Sequence, residues 1–320
     1  MGVNIVDRLS AAIDTQQITV RQFDGFVFLC GGAIESSDAA IASARHYALC
    51  RMDDQGKIAG HKVVIAERMT SLLQGDDFHD LLEFEEHIAA LCACVLIFVE
   101  SPGSIAELGS FSVMKHLAPR LLVVCEQRFE SDAAPSFIFL GPIASLRRRR
   151  SESVQVFPIT ADVGGVMRVS DELLSDCWGY IEEAMLGVLR RPIPEAQLVK
   201  SELPHQMVLV AEIIGLTVAV KSGEIEQILG ALGVELKGKP LRRILRILEQ
   251  FDLVVSRTYG NDRFYHSSHG RSLVSFKPSA ASGLQVFDPV RFRARLIEYF
   301  ESEDQRRSKA IRAFLRMAKK

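Results

Sequence analysis

A stretch in the first half of the chain, from Cys94 to Phe111, constrains the fold more than any other feature of the sequence. It begins with an unbroken apolar run, Val95 to Val99, continues through Glu-Ser-Pro-Gly-Ser, and ends in residues typical of a helix. A short apolar run bounded by Pro and Gly is typical of a strand buried on both faces of a parallel sheet. The sequence therefore predicts a strand, a tight turn and a helix within an α/β domain.

The predicted turn carries side chains suited to ligand binding. In open parallel sheets the ligand crevice lies beyond the carboxyl ends of the strands, which is where Glu100, Ser101, Ser104 and Glu107 are expected. Gly103 would let the backbone approach a ligand closely, and a helix N-terminus favours anionic groups. Two carboxylates here suit chemistry on a sugar or a nucleotide. From spacing alone, an equally good interpretation makes Glu107 an ordinary acid of the first helical turn.

A second candidate turn follows the first predicted strand. Gly31 and Gly32 come directly after the apolar run that begins at Phe26, and they would let backbone N–H groups approach a phosphate or a ribose. Arg45, on the helix that follows, is a candidate partner for a phosphate. Ser36 to Asp38 supply N-cap candidates for that helix. The sequence has neither a dinucleotide-binding glycine fingerprint nor a P-loop.

Further strand patterns alternate with helical segments along the first 195 residues. This alternation predicts a parallel βαβ sheet in flavodoxin-like order. The first 23 residues are expected to form an amphipathic helix, because apolar residues from Val6 to Ile13 recur at helical spacing. The other predicted strands are Phe26–Cys30, Lys62–Glu67, Leu121–Cys125 and Val154–Pro158.

The length of 320 residues predicts two domains, and 48% apolar with 24% charged residues is ordinary for a soluble globular protein. No apolar run approaches the ~20 residues of a membrane span, and the first residues do not form a secretory signal. The six cysteines lack metal-ligand spacing. We therefore expect a cytoplasmic protein with reduced core cysteines, no bound metal and no membrane partner.

The overall charge of −2 conceals an asymmetry between the two halves. Residues 1–195 hold 17 Lys and Arg against 27 Asp and Glu, a net charge of −10, whereas residues 196–320 hold 21 against 13, a net charge of +8. This split predicts an acidic catalytic domain over 1–195 and a nucleic-acid-facing domain over 196–320, although a solvated surface would give the same numbers. The two prolines in Arg190–Pro194 mark the linker.

The second half has the pattern of a winged helix-turn-helix domain, which is three helices followed by a β-hairpin. Its third helix places arginines beside an apolar stripe, and its hairpin places further arginines on the wing. These side chains are predicted to bind nucleic acid, while a protein–protein module remains the alternative. The candidates are Arg242, Arg243 and Arg246 on the helix and Arg257 and Arg263 on the wing.

Two other basic segments are possible phosphate contacts. Four adjacent arginines, Arg147 to Arg150, should repel one another and be exposed. They form either a solvated loop or a contact with nucleic acid. The basic stretch from Arg291 to Lys320 is predicted to be helical and to contact phosphate or a partner helix.

Four motifs, in order, carry a resemblance to a known family. They are Phe26–Gly32, Leu81–Glu85, Glu100-Ser-Pro-Gly-Ser-x-x-Glu-Leu-Gly109 and Ser136–Pro142. Together they resemble the nucleoside 2-deoxyribosyltransferase superfamily, and more closely the effector proteins encoded beside retron reverse transcriptases. The resemblance covers roughly the first half of the chain, and the predicted winged helix extends it.

The resemblance implies roles for the two acids. Glu107 occupies the position of the transferases' nucleophilic Glu, which precedes Leu-Gly. Glu100 falls near the family's sugar-hydroxyl-binding acid, although the family usually has Asp there and the spacing to Glu107 differs slightly. Glu85 is a candidate partner of the nucleophile, with an ordinary helix-surface acid as the alternative.

The resemblance also implies a function. We expect a toxic effector of a retron antiphage system that hydrolyses the N-glycosidic bond of a nucleotide, with NAD as substrate and no bound cofactor. The retron reverse transcriptase and its branched RNA–DNA product (msDNA) would hold it inactive, and homo-oligomers are possible. The alternatives are a nucleotide-sensing DNA-binding regulator and a stand-alone nucleoside deoxyribosyltransferase.

Overall fold

The computed structural model describes residues 5–34, 41–74, 77–131 and 136–317. The chain divides into two compact units. The sheet unit contains residues 23–73 and 79–192. The terminal unit contains residues 1–22, 74–78 and 193–320. Each unit is described by itself.

Both units contain helices and strands. The α-helices of the described residues are α1 (Ile5–Ala12), α2 (Ala44–Cys50), α3 (Leu81–Ala90), α4 (Pro102–Val113), α5 (Arg128–Ser131), α6 (Ala144–Arg149), α7 (Asp171–Leu189), α8 (Leu203–Thr217), α9 (Ser222–Ala231), α10 (Lys239–Gln250), α11 (Pro289–Glu303) and α12 (Gln305–Met317). The strands are β1 (Ile13–Val20), β2 (Phe26–Cys30), β3 (Lys57–Ile58), β4 (His61–Val64), β5 (Cys94–Val99), β6 (Leu121–Glu126), β7 (Val154–Phe157), β8 (Thr160–Val163), β9 (Val166–Val169), β10 (Ala196–Gln197), β11 (Val254–Tyr259), β12 (Asp262–Ser267) and β13 (Val274–Pro278).

The sheet unit is built on a six-stranded sheet in the order β3-β4-β2-β5-β6-β7. All neighbours pair in parallel except the short β3–β4 hairpin. Counting β2, β4, β5, β6 and β7 as strands one to five in chain order, the sheet has the order 2-1-3-4-5, which is the flavodoxin-like order. The chain is therefore an α/β protein with a parallel sheet, and the strand order agrees with the prediction.

The central strands of this sheet are buried along their whole length. Every residue of β2, β5 and β6 is buried, because helices cover both faces of a doubly wound sheet. The helix α7 packs Leu174, Ile181 and Met185 into the same core as Leu96 and Val124. This burial fixes the carboxyl ends of β2, β5 and β6, where the predicted site lies.

The four adjacent arginines differ from the prediction of an exposed segment. Arg147 to Arg149 end helix α6, and the Arg147 guanidinium pairs with Glu130 at 2.7 Å. Arg150 donates from Nη2 to the carbonyl of Leu121 at 2.6 Å, at the start of β6. Of the four, only Arg148 and Arg149 are exposed. Arg147 and Arg150 are partly buried, because each interacts with another group of the protein. The predicted N-cap residues 36–38 lie outside the described residues, and Ser43 caps α2.

The terminal unit combines helices with two small antiparallel sheets. Helices α8, α9 and α10 are followed by the β11–β12 hairpin, whose register pairs Tyr259 with Asp262 across a two-residue turn. A further bridge joins Val220 to Tyr265. The helix α10 buries Leu241, Ile244 and other apolar residues along one stripe. Three helices and a hairpin are therefore present in the predicted chain order.

The first residues of the chain belong to the terminal unit. The predicted amphipathic leader is helical only as far as Ala12, and Ile13–Val20 form β1. This strand is the middle strand of a three-stranded sheet, antiparallel to both β10 and β13. Leu9, Ile13 and Ile18 are fully buried. The helical spacing was misleading beyond Ala12 because the strand's partner β13 lies more than 250 residues away in sequence.

The compact units divide the chain differently from the predicted domains. The change near residue 193 coincides with the prolines of the predicted linker. Residues 5–22 and 77–78, however, pack with the terminal unit although they precede that linker. None of the helices in the described residues is long and apolar enough to span a membrane. All six cysteines are free thiols, and five of them are buried, with Cys50 exposed.

Candidate functional site

The predicted turn between β5 and α4 is held by a reciprocal cap. Ser101 is the N-cap of α4, and its Oγ accepts a hydrogen bond from the Ser104 backbone N–H at 3.1 Å. The Ser104 Oγ in turn accepts from the backbone N–H groups of Ser101 and Glu100, at 3.0 and 3.1 Å. Two of the orphan donors that a helix start leaves are satisfied in this way. Ser104 is fully buried and structural, while Gly103 is exposed on the helix surface.

Glu100 ties three segments of the sheet unit together. Its Oε1 accepts hydrogen bonds from the backbone N–H groups of Gly32 at 2.8 Å and Arg45 at 3.1 Å. Its Oε2 accepts from the N–H of Ala44 at 2.7 Å. The negative charge of Glu100 at the first turn of α2 also interacts favourably with the positive end of the helix dipole. The side chain therefore joins the end of β5 to the glycine turn after β2 and to the start of α2.

The two glycines after β2 are required by this packing. A Cβ on Gly31 would lie 2.7 Å from Cβ of Arg45 and 2.8 Å from Oε1 of Glu100. A Cβ on Gly32 would lie 2.8 Å from Cβ of Ser43. The space that the missing side chains leave is thus filled by Glu100, Arg45 and Ser43.

A cluster of charged side chains lies behind this turn. The buried Arg45 donates from Nε to the carbonyl of Gly32 at 2.7 Å and from Nη2 to Oε1 of Glu67 at 2.6 Å. Arg45 also acts electrostatically on the carboxyls of Glu85 and Glu107. Oε2 of Glu107 is buried and has no hydrogen-bond partner among the described residues. The cluster therefore gathers one cation and three acids, with one carboxylate oxygen uncommitted.

Burial dominates the electrostatics of this cluster. It raises the pKa of Glu107 to about 7, against a lowering by the Arg45 guanidinium and a hydrogen bond with the thiol of Cys30. Burial, and then the charges of Glu107 and Glu67, raise the pKa of Glu85 to about 8. Two neighbouring carboxyls with perturbed pKa values are typical of acid–base or nucleophilic sites.

A cavity of about 540 Å³ opens beyond the carboxyl ends of β5 and β6. Gly32, Glu100 and Ser101 of the predicted site line one side of it. Glu107, Arg45 and Ser104 are not among the described residues that line it. Ile105, one turn into α4, does line it, and residues two apart on a helix point roughly 200° apart. Gly32 and Glu100 thus line the cavity, whereas the side chains of the charged cluster do not.

The predicted nucleic-acid-binding arginines of α10 contact one residue of the terminal unit. The carboxylate of Asp77 is 3.2 Å from Nε of Arg242 and 2.8 Å from Nε of Arg246. Nε of Arg243 donates to the backbone carbonyl of Asp77, and Arg243 itself is buried. Arg242 and Arg246 retain side-chain exposures of 52% and 43%. All three arginines of the predicted recognition helix therefore have a partner within the protein.

The two wing arginines are both exposed. Arg263 Nη2 donates to both carboxylate oxygens of Glu249, at 2.8 and 3.0 Å, and its Nε donates to Oγ of Ser256. Arg257 is exposed on β11. No group of three or more His, Cys, Asp or Glu side chains within the described ranges could hold a metal ion.

Comparison with known proteins assigns the family. Residues 41–256, more than half of the chain, match the family described as STM3845 retron effector protein. The chain belongs to this family. The matched range begins just before α2 and ends within β11, so it includes the charged cluster and the whole of α10. Membership supports a retron-associated effector role, as the motifs predicted.

Two curated relatives from Escherichia coli share part of this retron effector sequence. The "Retron Ec86 putative ribosyltransferase/DNA-binding protein" is 33% identical over 129 residues, which are 40% of this chain and 39% of the relative. The "Retron Ec73 putative ribosyltransferase/DNA-binding protein" is 30% identical over 131 residues, 40% of each chain. The match thus spans about two fifths of the length of these relatives.

Three residues with contacts described above were not predicted, Cys30 and Glu67 in the sheet unit and Asp77 in the terminal unit. Cys30 ends β2, Glu67 follows β4, and Asp77 precedes α3, so each lies on an element other than the one it contacts. Cys30 could have been predicted from its position at the end of an apolar strand, because the crevice lies at the carboxyl ends of such strands. We find no local pattern that would have indicated Glu67 or Asp77.

Proposed function

We propose that this retron effector hydrolyses the N-glycosidic bond of a nucleotide, with NAD as the first candidate substrate and Glu107 as the nucleophile. The observation that carries the proposal is the buried Oε2 of Glu107, which lacks a hydrogen-bond partner among the described residues and lies in a cluster with Arg45 and Glu85. The E. coli relatives are named ribosyltransferases. Ribosyl transfer and glycoside hydrolysis both pass through an oxocarbenium-like transition state.

The chemistry needs an ionised carboxylate on the anomeric face. As the bond from C1′ to the nicotinamide nitrogen breaks, its electron pair leaves with the neutral base. An oxygen of Glu107 forms a bond to C1′, giving a glycosyl-enzyme. Water then attacks C1′, Glu107 is released as a carboxylate, and a proton passes to solvent. A pKa of about 7 leaves a large share of Glu107 ionised at neutral pH.

The surrounding residues position this carboxylate. Arg45 partly offsets the cost of burying the charges of Glu107 and Glu85. We assign Glu100 a positioning role, because both of its oxygens accept backbone N–H groups. This assignment replaces the predicted contact with a sugar hydroxyl. Ser101 and Gly32 remain candidates for contact with the substrate, because both line the cavity.

The terminal unit supplies the proposed regulation. Helices α8 to α10 and the β11–β12 hairpin have the composition of a winged helix, and residues 196–320 carry a net charge of +8. Both relatives are named DNA-binding proteins. We propose that this unit binds the retron's msDNA and reverse transcriptase, and that the complex restrains the hydrolase until infection.

The test is nicotinamide release from NAD by the purified protein, alone and in complex with reverse transcriptase and msDNA. We expect Glu107→Gln to lower kcat by about 10³-fold or more, because the amide cannot form the glycosyl-enzyme. The matched control is Glu172→Gln, which makes the same change at an exposed position on α7.

The outcomes separate the candidate functions. Equal rates in the wild type and Glu107→Gln would overturn the assignment of the nucleophile. A free protein that releases nicotinamide at a rate unaffected by the complex would favour a stand-alone transferase or hydrolase. No release under either condition, together with nucleotide-dependent binding of operator DNA, would favour a sensing regulator.

A further inference from the structure

Part of the wall of the cavity beyond β5 and β6 is apolar, and the proposed reaction at Glu107 assigns no role to these apolar side chains. Three large apolar side chains are exposed there, Ile105 at 41%, Phe129 at 42% and Met167 at 39%. They come from α4, α5 and β9, which are three separate elements of the sheet unit. Exposed apolar side chains that converge on one concave surface are typical of a ligand site.

One hydroxyl in the cavity wall has no partner. Oγ1 of Thr160, the first residue of β8, is buried and makes no hydrogen bond within the described residues. Thr160 lines the cavity. A buried hydroxyl left unsatisfied costs free energy, which a ligand with a hydrogen-bonding edge would recover.

The charged residues of the wall limit the ligand further. Arg128 lies over the ring of Phe129 at 4.8 Å, and both line the cavity. Glu100 and Glu126 also line it, and each accepts backbone N–H groups. A planar base on the apolar walls and a phosphate at Arg128 suit this arrangement.

The volume agrees with such a ligand. About 540 Å³ is within the range of cavities that hold drug-sized molecules, and a nucleoside monophosphate is of that size. The carboxylate of Glu107 does not line the cavity, so a mononucleotide bound there would not present its own glycosidic bond to Glu107. In a dinucleotide, the second nucleotide unit could occupy the cavity while the glycosidic bond of the first lies at Glu107.

We propose that the cavity binds the non-reacting nucleotide unit of a dinucleotide substrate, with the base against Ile105, Phe129 and Met167. This inference rests on the proposed hydrolysis at Glu107. It adds that the enzyme selects dinucleotides over mononucleotides. The selection is made in a cavity that Glu107 does not line.

Direct binding tests the cavity without relying on hydrolysis. AMP, which represents one half of NAD, is titrated calorimetrically into the full-length protein. Ile105→Trp should fill the cavity and weaken AMP binding at least tenfold. Val113→Trp introduces the same side chain at a more exposed position of α4 and should change the affinity less than twofold. Thr160→Val removes only the hydroxyl and should weaken binding about three- to tenfold.

Kinetics then relate the cavity to the reaction. Nicotinamide release is compared for NAD and nicotinamide mononucleotide, which lacks the second unit. Thr160→Val should raise KM for NAD by the factor seen in AMP binding while leaving kcat for NAD and kcat/KM for the mononucleotide unchanged.

The inference is overturned if AMP fails to bind the wild type, or if Ile105→Trp and Val113→Trp bind it equally well. It is also overturned if Thr160→Val affects NAD and the mononucleotide alike. Failure of the proposed function is distinct, because Glu107→Gln would then match the wild type whatever the AMP titration gives.

Discussion

At the scale of single residues, the site depends on placing two acids in a buried position beside one arginine. The pKa of Glu85 is raised to about 8 and that of Glu107 to about 7, mainly by burial. Near neutral pH the pair therefore carries less than its full charge. Ionising both carboxyls lowers the stability of the folded protein.

This cost predicts a pH-dependent stability. The folded-state pKa of Glu85 lies above its ordinary value of 4.5, so protonation of Glu85 favours the folded protein. That contribution is fully present below about pH 4.5 and is lost as the pH rises towards 8. Glu85→Gln should therefore be more stable than the wild type at pH 7, by on the order of 3 kcal/mol, and equally stable at pH 4.5.

Denaturant titrations from pH 4.5 to 8 measure this difference. The control is again Glu172→Gln, which should follow the wild-type curve. Parallel curves for the wild type and Glu85→Gln would show that the Glu85 carboxyl is not under strain in the folded protein.

The acids also show what can be predicted from the sequence at this scale. Glu107 could be placed at the site because it follows a recognisable strand and turn on the same segment. The proximity of Arg45, Glu67 and Glu85 could not be predicted, because three different elements supply them. Their contacts depend on how the helices pack on the sheet, which local patterns do not encode.

At the scale of elements, helix α10 has the pattern of a recognition helix but engages its arginines internally. The carboxylate of Asp77 pairs with Arg242 and Arg246, and the Asp77 carbonyl accepts from Arg243. The amphipathic pattern predicted the helix correctly, because the apolar stripe is local. The partner lies more than 160 residues away in sequence, and nothing in the α10 segment indicates it.

Replacing Asp77 should make the two exposed arginines available to phosphate. If α10 binds nucleic acid as proposed, Asp77→Asn should tighten the binding of msDNA at low salt. The slope of log affinity against log salt should steepen by about 1 to 2, because each additional phosphate contact contributes about 0.9.

Fluorescence anisotropy with labelled msDNA across a salt series measures this slope. Glu235→Gln, an exposed acid of the same unit, removes one negative charge without touching α10 and controls for net charge. An unchanged slope in Asp77→Asn would exclude Arg242 and Arg246 from the nucleic-acid contact.

Strands β5 and β1 mark the limits of prediction at this scale. The continuous apolar run of β5 predicted a buried parallel strand, because only such strands are apolar on both faces. The pattern at Val6, Leu9 and Ile13 fitted a helix and concealed the start of β1. Alternation at Ile18 and Val20 is the signal that indicates the strand, and two positions are too few to outweigh the preceding helical spacing.

At the scale of the whole molecule, the terminal unit is assembled from both ends of the chain. The strand β1 lies between β10 and β13, and its residues Ile13, Ile18 and Val20 are buried. Helix α1 packs Ile5 into a core with Phe264 and Phe300. A fragment that begins at residue 196 lacks Ile5, Ile13, Ile18 and Val20.

Residues 196–320 expressed alone should therefore fail to unfold cooperatively, because losing even one large buried side chain costs about 2–5 kcal/mol. A rearranged fragment in which residues 193–320 are joined by a flexible linker to residues 5–22 should regain a cooperative thermal transition. Calorimetry of the two fragments compares them. A cooperative transition in the shorter fragment would show that α1 and β1 are dispensable for the unit.

The pairing of β1 with β13 also sets the order in which the protein can mature during synthesis. Residues 23–192 leave the ribosome with every strand of the six-stranded sheet in place. Strand β1 is translated first, but it can pair with β13 only after residues 274–278 have been synthesised. At bacterial elongation rates of about 5–20 residues per second, the delay between residues 192 and 278 is roughly 4 to 17 s. The unit proposed to be catalytic is thus complete before the unit proposed to take part in its restraint.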